Sequence, residues 1–150
     1  MDKEETKHAM IEDRVLQIRR VSTKRAGGSS FHFSALSASG DHAGKIGVAI
    51  AKSKDKARRT MTEIPVTKNG SIPHELYIKN GAAIIFMKPA PLGAGIIAGG
   101  SVRQVLELAG IKNISVKIMG TNNQVSNAYT IIKALKMIKA KPQGTKEVTE

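Results

Sequence analysis

The sequence contains no cysteine and no tryptophan, only three phenylalanines and two tyrosines, and half as many acidic residues as basic ones. Each shortage closes a class of function. Without cysteine there is no disulfide, thiolate metal site or thiol nucleophile, in keeping with a reducing, cytoplasmic compartment. So few aromatic side chains make a poor platform for stacking successive bases. No run of roughly eighteen apolar residues occurs, so no membrane-spanning helix is predicted. The opening MDKEETKHAM is too charged for a secretory leader. His8, His32, His42 and His74 are scattered, with no pair at metal-ligand spacing, and no cofactor or metal is expected. Glu63, Glu75 and Glu107 are isolated, which removes the paired carboxylates of acid–base catalysis, and Asp41-His42 reads as turn chemistry. The chain is therefore not expected to be an enzyme.

What is present is positive charge and a core's worth of apolar residues. The 150 residues are 41% hydrophobic, enough for one ordinary domain or two small ones. The formal charge is +12, and eleven cationic residues against two acidic ones between Arg14 and Arg59 carry +9 of it. Solvated faces usually mix the two signs, so this segment points to a polyanionic partner, nucleic acid above all. The candidate contacts are Arg19, Arg20, Lys24, Arg25, Lys45, Lys52, Lys54, Arg58 and Arg59. Phe31 and Phe33 alternate with His32 and Ser34 as core residues on a strand would, leaving backbone and shape contact as the expected mode of recognition.

Along the chain, residues 1–13 read as a flexible arm. Leu16 and Ile18 alternate with Gln17 and Arg19, VSTKRAGGSS interrupts as a basic loop, and FHFSALSASG resumes a period of two. In KIGVAIAK one face carries Ile46, Val48 and Ile50, while Gly47, Ala49 and Ala51 leave the other flat enough for a packed helix. SKDKARRTMTEI predicts a helix of about three turns with Ala57, Met61 and Ile64 inward. The turn-rich stretch 65–73 separates two halves, placed at 14–68 and 69–140. A hairpin follows, HELYIK and AAIIFMK about a type I′ turn at Asn80-Gly81. Ser101 and Gln104 form a capping-box pattern before Val102, Val105, Leu106 and Ala109, with Gly110 to close the helix. ISVKIMG is a further strand. A last helix carries Val125, Ala128, Ile132 and Leu135 on one face, and residues 141–150 form a disordered tail.

GAGIIAGG invites comparison with nucleotide-binding loops. The strand before it is broken by KPAP and the next strand ends in Met119-Gly120 without an acid, which fails the dinucleotide requirement. Gly-Gly-Ser-Val offers no lysine to a terminal phosphate. The stretch is read as a close-packing turn into the central helix of the second half.

The succession VSTKRAGGSSFHFSAL, KARRTM, IPHE, MKPAPLGAGIIAGGSVRQVLELAGIKNI and KIMGTNN resembles the bacterial small-subunit ribosomal protein five family. The resemblance implies an α+β chain: a double-stranded-RNA-binding-like α/β sandwich, then a β-α-β domain with helices on one face of a sheet. It implies a structural role on small-subunit ribosomal RNA, near the channel through which messenger RNA enters. The implied neighbours are ribosomal proteins three, four and eight, and the loop matching Thr23 to Ser30 bears on decoding accuracy and spectinomycin response. In that loop Lys24 and Arg25 would meet phosphates, while Gly27 and Gly28 let the backbone bend close. This chain lacks roughly ten residues that the family pattern carries before KARR, so a shortened first helix is expected. It has Asn123-Gln124 where Asn-Pro is usual, and Ser29 where arginine is common. A free RNA-binding regulator or chaperone is the alternative, with a small-molecule kinase a more distant one.

Overall fold

The structure, a computed structural model, describes residues 11–50, 53–67 and 69–138. Lys52, most of the expected arm and the expected tail lie outside the described residues. Two four-stranded sheets organise the chain. The first is an antiparallel meander of β1 (Glu12–Arg25), β2 (Gly28–Gly40), β3 (Lys45–Ile50) and β4 (Thr62–Glu63), with α1 (Ser53–Arg59) joining β3 to β4. The second is built from β5 (Leu76–Asn80), β6 (Ala83–Pro89), β7 (Ile96–Ile97) and β8 (Ile114–Gly120), with α2 (Gly100–Leu108) between β7 and β8 and α3 (Gln124–Met137) last. Its order is β5-β6-β8-β7, and β7 lies parallel to β8 as a helical crossover requires. The chain is an α+β protein, as anticipated.

The elements stack in layers. Leu36 and Ala38 of β2 and Ile46 and Val48 of β3 are buried on one face of the first sheet, against α2 and α3. From the other side α3 covers β5 and β6, so Ile85, Met87, Leu106, Ile131 and Leu135 join one apolar cluster continuous with the first sheet. The flat face of β3 receives α1 so closely that a Cβ at Gly47 would overlap the carbonyl oxygen of Ala57. The opposite face of the second sheet exposes Tyr77, Lys79, Lys88, Lys117 and Met119.

Both long helices follow the apolar spacing in the sequence. Val102, Val105, Leu106 and Ala109 are fully buried, and two bonds close α2: Gly110 N–H to Glu107 O (3.0 Å) and Ile111 N–H to Leu106 O (3.1 Å). In α3 Ala128, Ile132 and Leu135 turn inward, and Asn123 Oδ1 caps the helix by accepting from Val125 N–H (3.2 Å).

Other expectations are corrected. Helix α1 makes only about two turns. Thr60 Oγ1 donates back to Lys56 O (2.9 Å), and Thr62–Glu63 pair with β3 in place of a third turn. Glu12 and Asp13, expected in the arm, begin β1. A bulge between Val15 and Gln17 lets Leu16 pack against the core and turns Ile18 to the other face, so the two do not share a side. The second hairpin turns at Gly81-Ala82, one residue later than predicted. Only Gly81 has a positive φ (61°), the pattern of a type II′ turn. There is no capping box: Gly99 is the N-cap without a side-chain bond, and buried Ser101 donates from Oγ to Gln124 O (3.3 Å). Nor does GAGIIAGG serve close packing. A Cβ at Gly93, Gly95 or Gly100 would meet nothing within 4 Å, but their φ angles of 88°, 72° and 51° are ones that side-chain-bearing residues resist.

Candidate nucleic-acid interface

The basic loop predicted from VSTKRAGGSS is instead the end of a long hairpin. β1 runs through Arg25, β2 resumes at Gly28, and Arg25 pairs with Gly28 across Ala26-Gly27. A segment rich in Gly and Ser reads locally as a loop, but thirteen cross-strand pairs carry the ladder to its tip. From Ile18 to Arg25 the hairpin spans about 24 Å at roughly 3.4 Å per residue, with its side chains largely exposed. Arg19, Arg20, Lys24 and Arg25 lie on this arm, and no acidic residue occurs from Arg14 to Gly40. Directly paired residues share a face, which gives the arm two distinct sides. One carries Ile18, Arg20, Phe33, Phe31 and Lys24; the other carries Arg19, Val21, Thr23, Arg25 and His32.

Phe31 and Phe33 are not core residues. They are 56% and 75% exposed, the latter among the most exposed large apolar side chains of the described residues. Their period of two is that of a strand, but β2 is buried only from Leu36 onward, where α1, α2 and α3 meet the sheet. The Arg20 guanidinium lies 4.2 Å from the centroid of the Phe31 ring. Across the arm, Arg19 Nη2 donates to Asn123 Oδ1 (3.4 Å), which ties the base of the hairpin to the cap of α3.

The remaining predicted contacts do not join this cluster. Lys45, at the start of β3, pairs with Glu63 (3.1 Å). Arg58 grips Asp13 through Nε and Nη2, an arrangement that raises the guanidinium pKa through hydrogen bonding to that carboxylate, and Ser39 Oγ donates to the same Asp13 (2.6 Å). Arg59 ends α1 with its side chain exposed, while the Lys54 side chain lies outside the described residues. Gly27 and Gly28 form the tip in open space.

A second cluster, missed by the sequence reading, holds the first sheet to α2. Asp41 Oδ1 accepts from Ala43 N–H and Lys45 N–H (both 2.8 Å), the turn chemistry predicted for it. His42 within that turn has a positive φ (55°), unusual for a residue with a side chain. Its N–H donates to Leu108 O (3.0 Å), Nδ1 lies 2.9 Å from Glu107 O, and Nε2 lies 2.7 Å from Glu12 Oε2. Arg14 bridges Glu12 (2.8 Å) and Glu107 (2.9 Å), and Arg103 reaches Glu107 from one turn earlier (3.0 Å). Hydrogen bonds from Arg14, then His42, hold the Glu12 carboxyl below its ordinary pKa; those from Arg103 and then Arg14 do the same for Glu107. Arg14, His42, Glu107 and Lys112, with Ile96, Gly110 and Ile111, line an open cavity of about 410 Å³, in which Arg14 and Glu107 are paired with each other. No single residue type betrays such a network; it exists only because β1, the 41–44 turn and α2 meet.

The geometry defines a class: a two-sheet α+β protein with a long β-hairpin whose distal arm is cationic and free of acidic residues. Residues 11–65 match the model of ribosomal protein S5, N-terminal domain, and residues 78–147 match that of ribosomal protein S5, C-terminal domain. The chain is 39% identical to small ribosomal subunit protein uS5c of Cyanophora paradoxa, covering 98% of this chain and 93% of the relative. It is 40% identical to small ribosomal subunit protein uS5 of Gloeothece citriformis (91% and 84%) and to uS5c of Rhodomonas salina (85% and 82%). The chain belongs to the ribosomal protein S5 family.

Proposed function

We propose that the chain is a structural constituent of the small ribosomal subunit that binds ribosomal RNA through the distal β1–β2 hairpin. The observation that carries this reading is the arm itself: four cations and no carboxylate on an exposed ladder about 24 Å long. Lys24 and Arg25 stand at its tip and Arg19 and Arg20 five residues back, about 17 Å along the ladder at roughly 3.4 Å per residue. Arg59 adds exposed charge at the end of α1, and Lys52 and Lys54 are two further cations of the sequence, whereas Lys45 and Arg58 act first within the protein, on Glu63 and Asp13. The division into a first unit over 14–68 and a second over 69–140 belongs to the same reading. So do the supporting role in decoding accuracy, the position beside the messenger channel and the contacts with ribosomal proteins three, four and eight.

High-salt sucrose-gradient sedimentation tests the placement: a constituent travels stoichiometrically with small subunits, whereas a free regulator separates from them. Replacing Lys24 and Arg25 by alanine is expected to weaken RNA binding. It should also flatten the dependence of log K on log[salt] by about 0.7–0.9 for each phosphate that is no longer neutralised. An unchanged slope would exclude ionic contact by the tip.

A further inference from the structure

The face of β2 that α1 covers does not stop where α1 stops. Ser37 and Ser39 lie beneath or beside the helix and are buried, and the same odd-numbered face continues outward through Ala35, Phe33 and Phe31. Their partners on β1 are Ile18, Arg20 and Ser22. α1 begins just after β3 ends at Ile50, which pairs with Leu36, and it runs back from there toward Gly47. With only seven residues it leaves Ile18 64% exposed, Phe33 75% and Phe31 56%. Three large apolar side chains thus stand uncovered in one row of the sheet.

We propose that this row is a stacking site for unpaired bases of RNA, with Phe33 and Phe31 each taking a base face. The inference deepens the RNA-binding reading above and rests on it. Charge complementarity selects the occupant: Arg20 and Lys24 share the apolar face, Arg19 and Arg25 flank it from behind, and no acidic residue from Arg14 to Gly40 offsets them. An apolar protein partner would have to strip water from these cations without neutralising them. A nucleotide brings a phosphate for each cation and a flat ring for each phenylalanine. The Arg20 guanidinium, already over the Phe31 ring at 4.2 Å, extends the aromatic surface with a planar cation of the kind on which bases also stack. Paired bases inside a duplex keep their faces hidden, so the site selects loops, bulges and ends. Two rings do not make the extended platform that the scarcity of aromatics excluded; they suffice for two bases.

The test uses the full chain and two probes: an oligouridylate carrying one central 2-aminopurine, and a fully paired RNA duplex. Binding is expected to change the 2-aminopurine fluorescence. The double variant Phe31→Leu/Phe33→Leu keeps strand-forming side chains at exposed positions, and its fold is verified by thermal melting. It should bind the single strand at least about tenfold more weakly, since one base–aromatic stack is worth roughly 5- to 150-fold. Duplex binding should stay within about twofold and the salt slope should not move. Equal single-strand affinity of variant and parent, equal weakening on both probes, or silent fluorescence on binding overturns the stacking site. A parent that binds neither probe overturns the RNA-binding reading beneath it, and Lys24→Ala/Arg25→Ala tests that reading separately by weakening both probes.

Discussion

At Gly47 the lack of a side chain sets the distance between β3 and α1. The Ala57 carbonyl occupies the space a methyl group would need, and the next obstacles, Ala57 C at 3.0 Å and Met61 N at 3.1 Å, are backbone atoms that cannot rotate away. Gly47→Ala is expected to cost about 1–3 kcal/mol, read as a lowered urea midpoint. Glu12 and Glu107 make a different prediction. Both carboxyls titrate below their ordinary value of 4.5 in the folded chain because arginines donate to them, with His42 assisting at Glu12. A depressed folded pKa means that the unfolded chain takes up protons first as the pH falls. The stability these groups confer is therefore complete above about pH 4.5–5 and lost on acidification through the folded pKa. Urea midpoints measured from pH 7 down to pH 3 should fall across that window, and Glu107→Gln should shrink the fall.

The hairpin shows how an element can be both exposed and well formed. Its distal half contributes little to the apolar cluster, so its ladder stands on cross-strand bonding and on the unbroken run of β1 and β2 from the buried sheet. Deleting residues 21–32 and joining Arg20 to Phe33 through Asn-Gly is expected to shift the melting midpoint by only about 2–4 °C, followed by circular dichroism. The same deletion should abolish RNA binding in a filter assay. Elements whose signals are local were legible in the sequence: α2 and α3 from their apolar spacing, α3 from Asn123 as its cap, β3 from strict alternation with one flat face. What escaped depends on partners distant in the chain. The Gly28-Ser29-Ser30 segment reads as a loop until pairing with Arg25, Lys24 and Thr23 of β1 makes it strand. The Phe-His-Phe alternation gives the period but not which residues are covered, because that depends on where α1 ends. Of the candidate site, the four hairpin cations were legible from charge alone. The ion pairs that commit Lys45 and Arg58 to the protein were not, since Glu63 and Asp13 are brought to them only by the fold.

For the whole molecule, the apolar cluster spans both sheets and does not divide with them. Leu36, Ala38, Ile46 and Val48 are buried by helices that follow them by more than fifty residues in the chain. A fragment of residues 11–65 would expose that face to water. It is expected to show collapsed amide chemical-shift dispersion and no cooperative melt, whereas the full chain melts in one transition. The seam at His42 has a mechanical corollary. The His42 carbonyl sits so near Gly110 that not even a methyl group fits between them, and the Leu108 carbonyl is bonded to the His42 amide. Any swing of the first sheet away from α2 would have to break this bond and open this contact. A load applied at the tip of the arm is therefore expected to reach α2 as torque, as through a bracket, and not to be absorbed at a hinge between them.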